Sequence, residues 1–255
     1  MVYIYYRMII DLDSDCDVDC SIVQPTEIFT PGATVDDAVT KLLLFAKTSQ
    51  LKLDKFMKLY VKTNSKNTVI YSPGVKRKES TISKVVDKYK GKIRQIKDVY
   101  RGAIVFNSMK TIKRAINEMP NSLEKRGFKV VRTDNTFDVP NSSGYRDINY
   151  NISDIDNKNI IGELQIHYCP IKKFSALIGH KLYKLEHNFT HKKINGLADS
   201  KLNELSSYGY NNAMKRRDPT CIADLKLMIK QKKTQKVASK KTAKTAKTAK
   251  TANEQ

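Results

Sequence analysis

The sequence predicts an α/β (α+β) fold, in which strands alternate with helices along one folded domain. Residues 141–168 contain two runs in which apolar and polar side chains alternate, the pattern of paired strands. Residues 34–48 and 51–63 instead carry apolar side chains at helical spacing. Of the 255 residues, 40% are hydrophobic, which is enough to build a core around such a sheet.

The other elements follow from the same two periodicities. Predicted helices cover 80–93, 108–127, 171–189 and 197–216, and predicted strands cover 101–107 and 128–133. We expect Ser80 to cap the first of these helices, Pro120 to interrupt the second, and Gly127 to end it. The apolar start, residues 1–10, is short and interrupted by a charge, so it favours a first strand over a targeting signal.

Composition divides the chain into an uncertain N-terminal segment (1–22), a folded domain (23–228) and a tail (229–255). The tail repeats Lys-Thr-Ala without large apolar side chains, so we predict that it is disordered from about residue 231. It contributes +8 of the net charge of +21, and the remaining residues are therefore basic as well, at +13. Both regions are either solvated surface or contact surfaces for anions such as nucleotide phosphates, RNA or DNA.

The cysteines form neither a disulfide framework nor a zinc pattern. Cys16 and Cys20 are four residues apart, while Cys169 and Cys221 are isolated in the sequence. We expect Cys169 to be a small buried residue, and the chain to work in a reducing, cytoplasmic setting. The sequence has no apolar run of roughly 20 residues, and we therefore expect no membrane partner. The acidic stretch 11–20 lacks the glycine and glutamate of an EF-hand and is predicted to be a solvated loop.

Residues 145–168 place polar side chains on one face of each strand, because side chains two apart point the same way. These faces carry Tyr145, Asp147, Asn149 and Asn151 on the first strand and Ile161, Glu163, Gln165 and His167 on the second. A hairpin turning near Asp156 would set Asn149 beside Glu163 and Asp147 beside Gln165. Such a face is either a wetted sheet surface or the floor of a site. The absence of lysine from it favours a site.

Charged residues before and within this region suggest phosphate chemistry. Asp98 precedes the strand at 101–107 and could converge with Glu163, and two close carboxylates need a cation such as Mg²⁺. Lysines 76, 78 and 84 crowd the start of a helix, where basic side chains and free amides can bind an anion. A solvated basic patch is the alternative. Tyr145 beside Gly144 offers a flat ring for stacking on a base.

Taken in order, these motifs resemble the RelA/SpoT-type (p)ppGpp synthetase domain, in particular its divergent branch with GYRD and ELQ. They are K-x-x-E-S-x-x-x-K (76–84), Asp98, G-Y-x-x-x-N (144–149), E-L-Q-I (163–166) and G-H-x-L-Y (179–183). The resemblance spans residues 70–190 and implies a nucleotidyltransferase-like fold, a mixed β-sheet flanked by helices. It also implies transfer of the β,γ-pyrophosphate of ATP to the 3′-hydroxyl of GDP or GTP.

The resemblance further implies a role for each matching residue. Asp98 and Glu163 would be catalytic and would hold Mg²⁺. The ATP phosphates would be bound by Lys76, Lys78, Ser80, Lys84 and Arg101. The acceptor nucleotide would be bound by Tyr145, Asn149, Gln165 and His180. The chain departs from the family pattern at three positions, with Asn149 in place of histidine, Ala103 in place of arginine and Gly179 in place of glutamate.

Two other functions stay open at this point. The basic body and the lysine-rich tail suit an enzyme that adds pyrophosphate to the 3′ end of tRNA. Asn149 and Ala103 suit a relative that binds nucleotide or RNA without catalysis, whereas the retained Asp98 and Glu163 favour an enzyme. The sequence does not predict an oligomeric state.

Overall fold

The computed structural model describes residues 8–12, 22–64, 68–179, 196–216, 218–231 and 234. Its strands are β1 (Thr68–Tyr71), β2 (Arg101–Phe106), β3 (Phe128–Asn135), β4 (Ile148–Asp154) and β5 (Ile160–Tyr168). They form one sheet in the order β1-β2-β5-β4-β3. The central pair β2–β5 is parallel and the other pairs are antiparallel, so the predicted mixed sheet is confirmed.

Helices flank this sheet. They are α1 (Val35–Asn64), α2 (Lys78–Ser83), α3 (Met109–Glu124), α4 (Cys169–Phe174), α5 (Gly196–Lys215) and α6 (residues 221–231). A π-helical turn extends α2 over Lys84–Lys88, and another extends α4 over Ser175–Gly179. None of the helices in the described ranges is long and apolar enough to cross a bilayer.

Three helix boundaries differ from the prediction. The helices expected at 34–48 and 51–63 are one helix, because Ser49 and Gln50 between them are buried and bonded to the sheet. Helix α2 begins at Lys78, so Ser80 is not its cap. Helix α3 continues through Pro120. Proline lacks the amide that would bond the carbonyl of Ile116, and the Tyr150 hydroxyl donates to that carbonyl instead, at 3.4 Å.

The apolar faces of β4 and β5 lie on the same side of the sheet, as predicted. The side chains buried there are Ile148, Tyr150, Ile152, Leu164, Ile166 and Tyr168, which pack into the main core with α1 and α3. Gly162 keeps β5 close to β2, because a Cβ there would collide with the ring of Tyr100. The Tyr100 hydroxyl donates to Ile152 O at 2.7 Å, which ties the hairpin to the segment before β2.

The predicted hairpin register was wrong by two residues. Asn149 lies opposite Gln165, and Asn151 lies opposite Glu163. The connection is longer than a tight turn at Asp156, since Lys158 and Asn159 both adopt left-handed backbone angles (φ 55° and 54°). A shift of two residues leaves each side chain on its expected face, so the hairpin still has the predicted polar face.

The far end of the hairpin is held by a buried ion pair. The ammonium of Lys52 on α1 lies 2.5 Å from Asp154 Oδ1 and 2.8 Å from Asp156 Oδ2, and it donates to Gly127 O at 3.0 Å. The Asp154 side chain is 1% exposed and also accepts the hydroxyl of Ser49. The lysine thus compensates a carboxylate that has no access to water.

Replacing Lys52 with methionine is expected to lower the free energy of unfolding by about 3 kcal/mol, because Asp154 would stay buried without its cation. Urea unfolding at pH 7 measures this change. Lys58→Met is the matched control, since Lys58 is exposed on the same helix and should shift stability by less than about 0.5 kcal/mol. Equal effects of the two substitutions would show that the pair does not support the fold.

The prediction that the cysteines form no disulfide was wrong for Cys169 and Cys221. The two residues, 52 apart in sequence, form a disulfide with Cα atoms 6.1 Å apart. Cys169 is buried as predicted. The bridge joins the start of α4 to the start of α6, within a small apolar cluster that also contains Val69, Val105 and Leu225.

At the N-terminus, Ile9 and Asp11 form isolated bridges to Thr34 and Lys92 and do not extend the five-stranded sheet. The start at 1–7, most of the acidic stretch and most of the tail lie outside the described residues.

Candidate functional site

Asp98 is the centre of a cluster of charges in front of β2. Its carboxylate accepts the ammonium of Lys76 at 2.6 Å and that of Lys84 at 3.0 Å. Lys84 lies in the π-helical turn after α2, and Lys76 N is tied to Val99 O at 2.9 Å. Burial raises the pKa of Asp98, but the two lysines outweigh it and hold that pKa below its usual value. Asp98 is therefore an anion at neutral pH.

Glu163 lies on β5, beside this cluster. Burial raises the pKa of its carboxyl group, and the negative charge of Asp98 raises it further. A hydrogen bond from the side chain of Asn149 on β4 acts in the opposite direction. The two carboxylates are therefore close enough to repel each other, which is the convergence that their sequence positions suggested.

Arg101 faces the same region, because it pairs in register with Glu163 across the parallel strands. Burial lowers the pKa of Lys76, and the charges of Lys84 and Arg101 lower it further. Two buried polar atoms here lack a hydrogen-bond partner among the described residues, namely Arg101 Nε and Asn149 Oδ1. One is a donor and the other an acceptor, and a bound polar ligand could satisfy both.

Two other predicted phosphate ligands, Lys78 and Ser80, do not contact Asp98 in the described structure. The ammonium of Lys78 is 2.7 Å from Asp36 in the first turn of α1, and Ser80 is exposed. Gln165 is on the polar face of β5, where its side-chain oxygen lies 3.1 Å from His167 Nε2. His180 is outside the described residues.

Tyr145 lies just before β4, with its ring packed edge-on against two others. The ring centroid is 5.5 Å from Tyr210 on α5 and 6.3 Å from His167 on β5. Gly144 allows this placement, because it has φ +77° and a Cβ there would lie 2.7 Å from Ser207 Cα. Burial, followed by the charge of Asp147, raises the pKa of Tyr145 well above its usual value. The phenol is therefore un-ionised.

Two residues that organise the site were missed by the sequence analysis. The side chain of Gln50 on α1 accepts from Arg101 N at 2.8 Å and donates to Arg101 O at 2.9 Å, which fixes the first residue of β2. Lys172 on α4 reaches back to the sheet, with its ammonium 3.0 Å from His167 Nε2. A glutamine inside a helix carries no local signal for the first role. The only signal for the second is that α4 follows β5 directly.

The chain has a nucleotidyltransferase-like mixed α/β fold, with a cluster of lysines and carboxylates at its central strands. Two solved structures share this fold. Small alarmone synthetase 2 from Bacillus subtilis matches with a TM-score of 0.51 and 21% identity, over 68% of this chain and 92% of that one. The Type VI effector Tas1, solved in complex with its immunity protein, matches with a TM-score of 0.51 and 17% identity, over 71% and 98%. No protein-family model matches the sequence, and no curated protein matches it.

Proposed function

We propose that the protein is a pyrophosphokinase of the RelA/SpoT type, which transfers pyrophosphate from ATP to the 3′-hydroxyl of a guanosine nucleotide. The observation that carries the proposal is the pair Asp98 and Glu163 on neighbouring segments, surrounded by Lys76, Lys84 and Arg101. The fold shared with an alarmone synthetase supports the same conclusion. The GYRD and ELQ motifs suggest the divergent branch of that family.

In this mechanism the acceptor 3′-oxygen attacks the β-phosphorus of ATP. A bond forms between that oxygen and the β-phosphorus, the bond from the β-phosphorus to the α–β bridging oxygen breaks, and AMP leaves. Glu163 accepts the proton of the 3′-hydroxyl, a role that suits a carboxylate whose pKa is raised by burial. Lys76, Lys84 and Arg101 bind the phosphates. Such a reaction depends on positioning and charge more than on a covalent nucleophile.

The acceptor base would stack on Tyr145, whose ring is held at a fixed angle by Tyr210. The buried, unsatisfied Asn149 Oδ1 would accept a hydrogen bond from the acceptor nucleotide. Gln165 lies opposite Asn149 on the same face and would line the same pocket, with His180 as a further ligand.

The residues also fit a magnesium ion. Asp98 and Glu163 supply oxygen ligands, which Mg²⁺ prefers, and Asp98 is ionised. Within the described residues, three or more His, Cys, Asp or Glu side chains do not gather into a metal site. Asp98 and Glu163 would therefore hold the ion together with substrate phosphates and water, as is common for Mg²⁺. When bound, it would neutralise charge on the transferred phosphates.

The proposal is tested by incubating the protein with γ-labelled ATP and magnesium, and offering GDP, GTP, ATP or deacylated tRNA as acceptor. Label is expected on GDP or GTP. Label on tRNA alone would assign the protein to tRNA 3′-end modification, an alternative favoured by the net charge of +21. If no acceptor is labelled while nucleotide still binds, the protein is a non-catalytic binder and the proposed activity is wrong.

Lys84 provides a test of phosphate binding. Replacing Lys84 with methionine is expected to raise KM for ATP about tenfold, because a charge-assisted contact of about 1.5 kcal/mol would be lost. Asp98 keeps Lys76 as a partner, so the fold should not change. Lys88→Met is the control, since Lys88 is exposed in the same π-helical turn and should leave KM near the wild-type value. An unchanged KM in Lys84→Met would remove this lysine from the site.

A further inference from the structure

A row of buried and half-buried polar groups crosses the sheet from α4 to the loop before β4. The Lys172 ammonium lies 3.0 Å from His167 Nε2. The other ring nitrogen, His167 Nδ1, lies 3.3 Å from the Tyr145 hydroxyl, and that hydroxyl donates to Asp147 Oδ2 at 3.1 Å. His167 is 0% exposed, and Asp147 is 6% exposed. The mechanism above uses only Tyr145 among these four residues.

The contacts of Lys172 and of Tyr145 with an ionised Asp147 favour one arrangement of protons. The hydroxyl of Tyr145 gives its single proton to Asp147, so its oxygen must accept from His167 Nδ1–H. Nε2 then carries a lone pair, which accepts from the Lys172 ammonium. The side-chain oxygen of Gln165 also lies 3.1 Å from Nε2. This arrangement therefore requires the Gln165 amide to be rotated by 180°, so that its nitrogen donates to Nε2.

The opposite tautomer conflicts with two neighbours. A proton on Nε2 would face the ammonium of Lys172, and Nδ1 would compete with Asp147 for the single proton of Tyr145. Protonation of both nitrogens is opposed as well, since burial and then the charge of Lys172 lower the pKa of His167 well below 6.5. His167 is thus a neutral imidazole with one fixed donor, and that donor points at the Tyr145 hydroxyl.

We propose that His167 is a positioning residue for acceptor binding, which holds the ring of Tyr145 in place through a hydrogen bond from Nδ1. The inference rests on the proposed function, in which Tyr145 stacks on the acceptor base. Tyr145 lies outside β4, so backbone pairing within the strand does not fix its side chain. Its orientation depends on its contacts with His167, Asp147 and Tyr210.

A matched pair of substitutions separates this role from a general packing role. Asn carries an amide nitrogen at the position of Nδ1, whereas Leu has the same branching without a donor. His167→Leu is expected to raise KM for the guanosine acceptor about tenfold, the effect of losing one buried hydrogen bond, with KM for ATP unchanged. His167→Asn should stay within about threefold of the wild type. Equal losses in both variants, or parallel changes in both KM values, would overturn the proposal.

A second measurement does not depend on activity. Long-range ¹H–¹⁵N correlation spectra distinguish the two histidine tautomers, and the sequence has only 4 histidines. The signals that disappear in His167→Asn belong to His167. We expect the neutral Nδ1–H form in the ligand-free protein at pH 7, and the Nε2–H form would overturn the proposal. If the wild type transfers no pyrophosphate but shows the Nδ1–H form, the proposed function fails while the hydrogen bond to Tyr145 stands.

Discussion

Glu163→Gln is expected to reduce pyrophosphate transfer by about 10³-fold or more and to leave the fold unchanged. The amide has the shape of the carboxylate, but it can neither accept the proton of the 3′-hydroxyl nor neutralise a cation. A general base alone contributes about 10² to 10⁴-fold, and the loss of a charged metal ligand adds to that. Initial rates with saturating ATP and acceptor measure the effect. The unfolding temperature should not fall below that of the wild type. The substitution keeps the shape of the side chain and removes a buried charge that Asp98 repels.

Glu118→Gln is the control for this substitution. Glu118 lies on α3, its side chain is 44% exposed, and its ionic partner is Arg114 on the same helix. The same chemical change at this position should leave the rate unaltered. If Glu163→Gln retains wild-type activity, Glu163 is neither the base nor a required metal ligand, and the assignment of the site is wrong.

The pH dependence of the transfer rate should reflect the protonation of Glu163. Burial first, and the charge of Asp98 second, raise the pKa of Glu163 above 4.5. Magnesium bound to Glu163 would oppose both effects, so the pH below which the rate falls should move down as the magnesium concentration rises. An acid limb whose position does not depend on magnesium would show that a different group controls the reaction.

Reduction of the Cys169–Cys221 disulfide is expected to lower the free energy of unfolding by about 4 kcal/mol, the loop-closure estimate for a bridge that spans 52 residues. The bridge joins α6 to α4 within a small apolar cluster that is separate from the main core. Urea unfolding of the wild type with and without reductant measures the change. A double variant, Cys16→Ser with Cys20→Ser, should respond to reductant to the same extent.

Alkylation of the denatured protein provides an independent test. The chain has 4 cysteines, and two of them form the bridge. At most two alkyl groups are therefore expected without reductant, and four after reduction. Four without reductant would show that the bridge does not form in the isolated protein.

The polar face of the hairpin could be predicted from the sequence, because strand alternation depends only on neighbouring residues. The same local pattern indicated that Ile148 and Leu164 share the core, whatever the turn. The exact register could not be predicted, since it depends on left-handed backbone at Lys158 and Asn159. The continuity of α1 through Ser49 and Gln50 could not be predicted either, because both side chains are buried and bonded to strands far away in the sequence.

The candidate site divides in the same way. The sequence motifs pointed to Lys76, Lys84, Asp98 and Glu163, and in the structure these side chains interact with one another. Their role in phosphate chemistry stays a prediction. The contacts of His167 with Lys172 and Tyr145, and the bond between Cys169 and Cys221, are decided by tertiary structure. These contacts depend on how α4 and α6 return to the sheet. Periodicity records which face a side chain occupies, but a contact between distant segments depends on packing that no single segment encodes.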